Sequence, residues 1–144
     1  MSIHTTHLER SLQTLDASLK ALQKAPADSI EFEIYRNAVI KGFELTLEVS
    51  GKLLRKALKT YNASAKEVDS LPYKECFRLA AKHGLFSTDL VERWFKYRDN
   101  RNSTSHDYGL AFAEETLALL PSFIADVHVI IERLNETFSQ ADDV

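Results

Sequence analysis

Eleven consecutive residues, Arg98-Asp99-Asn100-Arg101-Asn102-Ser103-Thr104-Ser105-His106-Asp107-Tyr108, gather two guanidiniums, an imidazole, a phenol, two carboxylates and several small hydroxyl or amide side chains. Arg101 and His106 bracket four residues, so a helix ending near Arg101 can turn to bring both side chains to one opening. Arginine offers a forked donor with permanent charge, suited to a phosphate or a phosphorane. Histidine titrates near neutrality and can move a proton to or from a hydroxyl. Together they suffice to cleave RNA without a metal. The imidazole would handle the ribose 2′-hydroxyl or the leaving oxygen while the guanidinium stabilises the charge of the transition state. Asn102, Ser103 and Ser105 add neutral donors for substrate, Arg98 adds a second cation, and Tyr108 sets a phenol at the rim. The competing reading is a capping loop, with Arg101 paired to Asp99 or a helix C-terminus and His106 bonded to a backbone carbonyl. An Arg-x4-His spacing alone is common and does not decide between them.

The segment must be positioned by helices. Leu8, Leu12, Leu15, Leu19 and Leu22 recur at steps of four and three, which predicts a helix over 6–24 with one narrow apolar seam. Ala25-Pro26-Ala27-Asp28 breaks it, and Asp28 or Ser29 can cap a long second helix over 30–59. Phe32, Tyr35, Val39, Phe43, Leu47, Leu54 and Leu58 mark its buried side. Another face carries Lys41, Glu44, Glu48, Lys52, Arg55 and Lys59, either as a solvated surface or as the lining of a groove or subunit contact. Residues 61–71 read as loop and connection. Pro72 suits the start of a shorter helix that ends at His83, with Gly84 in the left-handed cap position. Ser87 or Thr88 caps the next helix, on which Leu90, Trp94, Tyr97 and Arg101 share a face and Arg98 lies near it. Trp94, Phe95 and Tyr97 suit core or interface better than base stacking. The last helix is expected to begin between Asp107 and Leu110 and to keep its apolar rhythm to Phe138, kinked at Pro121. The fold class predicted is all-α, an antiparallel bundle of four to five helices.

The totals narrow the function. A chain of 144 residues is expected to form one domain spanning 1–144 with an ordered core of about 6–138, and is long enough to bury its own core. The net charge of -3 argues against a nucleic-acid binder that works by bulk electrostatics, though not against a local basic cleft. One cysteine, Cys76, allows no intramolecular disulfide, and no Cys/His zinc spacing occurs. His4 and His7 fall at an end expected to be mobile, and His128 lies among apolar neighbours, so no metal site and no cofactor are predicted. With no signal peptide legible at Met1-Ser2-Ile3-His4 and no apolar run of membrane-spanning length, a cytoplasmic location without membrane association is expected.

The residues also carry a resemblance. Arg101-Asn102-Ser103-Thr104-Ser105-His106-Asp107-Tyr108 resembles the R-x4-H-x-Y motif of HEPN-domain proteins, in particular those encoded beside minimal nucleotidyltransferases. Ile40-Lys41-Gly42-Phe43-Glu44-Leu45-Thr46-Leu47-Glu48 with Gly51-Lys52-Leu53-Leu54 is similar to that subfamily's second helix. Phe77-Arg78-Leu79-Ala80-Ala81-Lys82-His83-Gly84-Leu85 is similar to its short third helix. The likeness runs from about Leu8 to Phe138. One departure is Gly42, where the subfamily usually has a larger, often basic, residue.

The resemblance implies a helical homodimer that brings two R-x4-H motifs into one cleft. It implies a metal-independent endoribonuclease toxin with Arg101 and His106 as its catalytic pair. It further implies a minimal nucleotidyltransferase antitoxin as partner, which transfers AMP to the motif tyrosine, here Tyr108. Adenylylation there would place bulk and charge where the RNA backbone sits. The transferase's own Gly-Ser pair and Asp-x-Asp metal site do not occur in this chain, so it is not the transferase. Two other readings stand beside this one: a non-catalytic subunit that binds substrate or nucleotide for a neighbouring nucleotidyltransferase, and a helical adaptor with a capped loop.

Overall fold

The computed structural model describes residues 3–61, 64–103 and 110–138, with backbone only at 102–103 and 110–112. Among these residues all regular structure is helical. The helices are α1 (Thr6–Lys24), α2 (Ile30–Leu58), α3 (Ala65–Ser70), α4 (Tyr73–Lys82), α5 (Thr88–Ser103) and α6 (Leu110–Phe138). The all-α class is as expected.

Each boundary has a local cause. Ala25 is held extended (φ -80°, ψ 141°) before Pro26, because the proline ring disfavours helical backbone in the preceding residue. Ser29 then caps α2 by accepting the Phe32 N–H at 3.1 Å. At the end of α4, Gly84 takes φ 74°, the Leu85 N–H donates to the Ala80 carbonyl at 2.9 Å and the Gly84 N–H to Ala81 at 3.0 Å. That pair of reversed bonds is the Schellman stop, and it needs the left-handed residue that glycine supplies without strain. Ser87 caps α5 by accepting the Leu90 N–H at 3.1 Å. α6 continues through Pro121, where one backbone bond is necessarily missing.

One element goes beyond the sequence expectation. Residues 65–70 form the short helix α3 rather than a plain connection, with Ser64 accepting the Glu67 N–H at 3.1 Å. It is tied to the bundle by Val68, which is fully buried, and by Arg55, whose guanidinium donates to the Val68 carbonyl at 2.9 Å. The N-terminal end also differs from expectation. Ile3 is buried, and Thr5 Oγ1 sits 3.0 Å from Asn135 Oδ1 of α6.

α1, α2, α5 and α6 run up and down. Leu15 of α1 meets α2 at Gly42, and His7 faces the later stretch of α2 at Val49 and Leu53, so these two helices are antiparallel. α5 and α6 are antiparallel as well, since Arg93 and Tyr97 reach Asp126 while Asn100 bonds Thr116 at 3.0 Å. A Cβ built on Gly42 would lie 3.2 Å from Leu15 Cδ1, so the departure at Gly42 lets α1 approach α2 closely. Between α2, α4, α5 and α6 lies an aromatic centre. Trp94 stacks on Phe77 at 5.4 Å between ring centroids, and Phe123 meets Phe43 edge-on at 4.7 Å. Trp94 and Tyr97 are both 1% exposed, which makes them core as the sequence suggested. Burying each such ring contributes roughly 1.5–3 kcal/mol.

Candidate functional site

The site is built on the second half of α5. Its first half is fixed to α6 by a buried polar cluster. The Asp126 carboxylate, with its side chain 7% exposed, accepts two parallel bonds from Arg93, Nε at 2.8 Å and Nη2 at 2.9 Å, and a third from the Tyr97 hydroxyl. Ser122 also bonds the Tyr97 oxygen. Burial, and the bond to Asp126 after it, push the Tyr97 phenol up to about 12. One turn further along, Asn100 Nδ2 donates to the buried Thr116 hydroxyl. The helix therefore arrives at Arg98 and Arg101 with its rotation and register set by α6.

Arg98 is partly buried. Its guanidinium carbon lies 4.8 Å from the centroid of the Tyr73 ring, and its Nε is buried without a hydrogen bond among the described residues. Stacking on an aromatic face leaves in-plane N–H groups of a guanidinium available to an anion. Arg101 occupies the last turn of α5, and its charge acts on Glu48 of α2. The hydrogen bond from Lys52 and its charge, with smaller help from Arg101 and Lys41, hold the Glu48 carboxyl below the usual carboxylate range. Asp99, the partner suggested for Arg101 in the capping-loop reading, lies 3.9 Å from the Lys74 ammonium on α4.

A cleft of about 170 Å³ opens between α2, α4 and α5, lined by Glu48, Lys52, Arg55, Tyr73, Trp94 and Arg98. Burial, reinforced by Asp99, raises the Tyr73 phenol, which stays neutral. The charged face of α2 is thus not uniformly solvent-facing. Glu48 and Lys52 form an exposed pair at 3.2 Å that also borders this cleft, while Lys41 and Glu44 edge a separate hollow with Arg36 and Ile40.

Of the residues singled out in the sequence, Arg98 and Arg101 are brought to one end of α5. The backbone of Asn102 and Ser103 continues the helix, and their side chains lie outside the described residues. Ser105, His106 and Tyr108 also lie outside the described residues. Tyr73 escaped the sequence reading. Its only local signal is its place directly after Pro72, and the stacking on Arg98 joins positions 25 residues apart. His83 is the helix-end residue expected, stacked on Tyr61 at 4.2 Å. Among the described residues no group of three or more His, Cys, Asp or Glu side chains could hold a metal ion, and no helix is long and apolar enough to cross a membrane.

An up-and-down helical bundle with two arginines in the last turns of the penultimate helix, and with His106 and Tyr108 following them in the sequence, is the arrangement of a HEPN-type protein. Residues 6–136 match the family described as nucleotidyltransferase substrate binding protein like, and the chain belongs to that family. A curated relative, the "Probable ribonuclease HepT" of Haemophilus influenzae, is 25% identical over 137 residues, covering 88% of this chain and 92% of its own. Among solved structures, an H. influenzae protein described as revealing the fold of a substrate-binding domain of a nucleotidyltransferase superposes with a TM-score of 0.79. It is 22% identical and covers 92% of this chain and 99% of its own. A tri-AMPylated Shewanella oneidensis HEPN toxin in complex with an MNT antitoxin gives a TM-score of 0.55 at 18% identity, with 90% of this chain and 96% of that one covered. At these identities the structural likenesses carry the fold.

Proposed function

We propose that this protein is the toxin of a toxin–antitoxin pair, a metal-independent endoribonuclease whose catalytic groups are Arg101 and His106. The observation that carries the reading is the placement of Arg101. It lies in the last turn of α5, one turn beyond an arginine stacked on Tyr73 at the edge of a cleft, on a helix locked in register by the Asp126 cluster. His106 follows at the spacing that lets an imidazole and a guanidinium serve one phosphate. The name of the curated H. influenzae relative supports the same activity.

The chemistry is a transesterification. The ribose 2′-oxygen bonds to phosphorus as its proton passes to an imidazole, and the bond to the 5′-oxygen breaks as that oxygen takes a proton. The ends are a 2′,3′-cyclic phosphate and a 5′-hydroxyl. Arg101 meets the charge that gathers on the non-bridging oxygens, and Arg98, Asn102, Ser103 and Ser105 hold the strand. In a homodimer, two copies of His106 in one cleft would serve as base and acid. AMP transferred to Tyr108 by a cognate minimal nucleotidyltransferase would block that cleft. The Shewanella neighbour, AMPylated and bound to its antitoxin, supports this mode of control. The whole chain acts as one domain in the cytoplasm under this reading.

The test is cleavage of a mixed RNA pool in EDTA by the purified, unmodified protein beside His106→Ala. Cleavage by the wild type alone, leaving cyclic phosphate ends, is expected. The family's description favours a second reading, a non-catalytic subunit that binds substrate for a nucleotidyltransferase. Absence of cleavage by a wild type whose mass shows a bare Tyr108 would establish that reading over the first. AMP-sized mass increments on co-expression with the antitoxin, lost in Tyr108→Phe, are expected for the toxin.

A further inference from the structure

We propose that the cleft between α2, α4 and α5 is a second phosphate site, holding a phosphodiester of the RNA strand next to the one at Arg101. This deepens the ribonuclease reading, on which the identity of the strand rests.

Four observations carry it. Arg98 has its guanidinium stacked on Tyr73, its Nε buried without a hydrogen bond, and no ion pair among the described residues. A half-buried guanidinium held by stacking at the edge of a cleft keeps its remaining N–H groups in a fixed plane, a geometry suited to an oxyanion. Lys52 and Arg55 border the same cleft, so its lining carries three cations and one carboxylate, Glu48, which is already bonded to Lys52, while Asp99 acts on Tyr73 and lies beside the Lys74 ammonium. The volume of about 170 Å³ lies below the roughly 300 Å³ at which pockets begin to enclose whole small molecules. It suits a phosphate and part of its sugar, that is, a segment of a longer chain. Finally, Arg98 and Arg101 stand three residues apart on one helix, about one turn or roughly 5 Å along its axis. That step is comparable with the spacing of neighbouring phosphates in a strand. Tyr73 is occupied by Arg98 on its face and by Phe95 near its edge, at 6.3 Å between centroids, so the cleft recognises backbone rather than base.

The local charge also resolves a tension in the sequence. A chain of net charge -3 has no general attraction for RNA. Two phosphate contacts on one helix face would supply it locally.

The test is binding of a fluorescein-labelled 2′-O-methyl RNA tetranucleotide, which has no free 2′-hydroxyl and cannot be cleaved, followed by anisotropy across a salt series. Arg98→Ala is expected to raise the dissociation constant about tenfold and to flatten the slope of log affinity against log salt by about 0.7, the loss of one single-strand phosphate contact. Glu48→Gln, which removes the carboxylate from the cleft lining, is expected to tighten binding severalfold, a direction that misfolding cannot produce. Glu136→Gln, on α6 beside Arg133 at the far end of the bundle, is expected to change nothing. An unchanged salt slope in a folded Arg98→Ala variant overturns the proposal, as does equal tightening by Glu48→Gln and Glu136→Gln or a wild type that does not bind. The ribonuclease reading fails separately. A wild type that cleaves RNA while Arg98→Ala keeps its slope loses only the second site. One that never cleaves yet shows the Arg98-dependent slope keeps the site and loses the nuclease.

Discussion

Arg93 and Arg98 stand five residues apart on α5, and their surroundings have opposite character. Arg93 is bound by both oxygens of a buried carboxylate, which pushes its guanidinium still further from deprotonation, and Tyr97 and Ser122 complete the cluster. Arg98, among the described residues, has its guanidinium against the face of an aromatic ring beside a cleft. The first half of the helix is satisfied internally and carries position. The second half carries Arg98 to the edge of the cleft and Arg101 to the end of the helix, where the proposed substrate would meet them. A site with this division can be rigid without being neutralised, which is what transition-state stabilisation by fixed charges requires.

The largest contrast should appear between activity and stability. Arg101→Ala is expected to lower RNA cleavage by about 10²–10³-fold, the usual loss when a charge-stabilising donor is removed. Its thermal midpoint should stay within the range of an ordinary half-exposed substitution. Asp126→Ala should do the reverse. It strips a buried acceptor from Arg93 and Tyr97 at once, and is expected to cost about 3 kcal/mol, or roughly 6–12 °C in melting temperature. A melting curve for each variant, run beside the cleavage assay, checks both. If Arg101→Ala melted as early as Asp126→Ala, the two halves of α5 would not differ in role.

Tyr97→Phe sharpens the stable half. It removes two hydrogen bonds while Asp126 keeps Arg93, so a loss of about 1–2 kcal/mol is expected. The pH dependence is more specific. The folded phenol titrates at about 12, whereas an exposed tyrosine titrates near 10. Between those values the unfolded chain has lost a proton that the folded chain keeps, so this contribution is complete below pH ~10 and is lost as pH rises toward ~12. Urea melts over that window should show an alkaline decline in the wild type that is shallower in Tyr97→Phe.

These contrasts also show what the sequence could convey. Helix periods and caps are local, so α1, α2, α4 and α5 could be placed from leucine spacing, Pro26, Ser29, Gly84 and Ser87. The helix α3 was missed because only Val68 of its six residues is buried, leaving no apolar period to read. Ser64 followed three residues later by Glu67 was its one local sign, a capping pattern. Arg98 and Arg101 stood out by type and spacing. Their setting did not, because Tyr73 and Asp126 reach α5 from 25 and 33 residues away, and nothing local in a sequence encodes such a pairing. Asp126 in particular reads as an ordinary polar position on α6, although its side chain is 7% exposed.

The smallest effects come from two glycines on α2, and they separate packing from binding. An alanine Cβ at Gly42 would press on Leu15 Cδ1 at 3.2 Å, and Leu15 is fully buried, so the helical gain of about 0.5–1 kcal/mol is offset by strain and Gly42→Ala should be near neutral. A Cβ at Gly51 meets nothing within 4 Å, so Gly51→Ala should realise the whole gain and raise stability by about 0.5–1 kcal/mol. The space it enters is the cleft that Arg98 lines. The same methyl should therefore weaken binding of the 2′-O-methyl tetranucleotide by a few-fold while the protein melts later. A variant that became both more stable and tighter-binding would mean that the cleft is a packing gap rather than a place kept open for a phosphate.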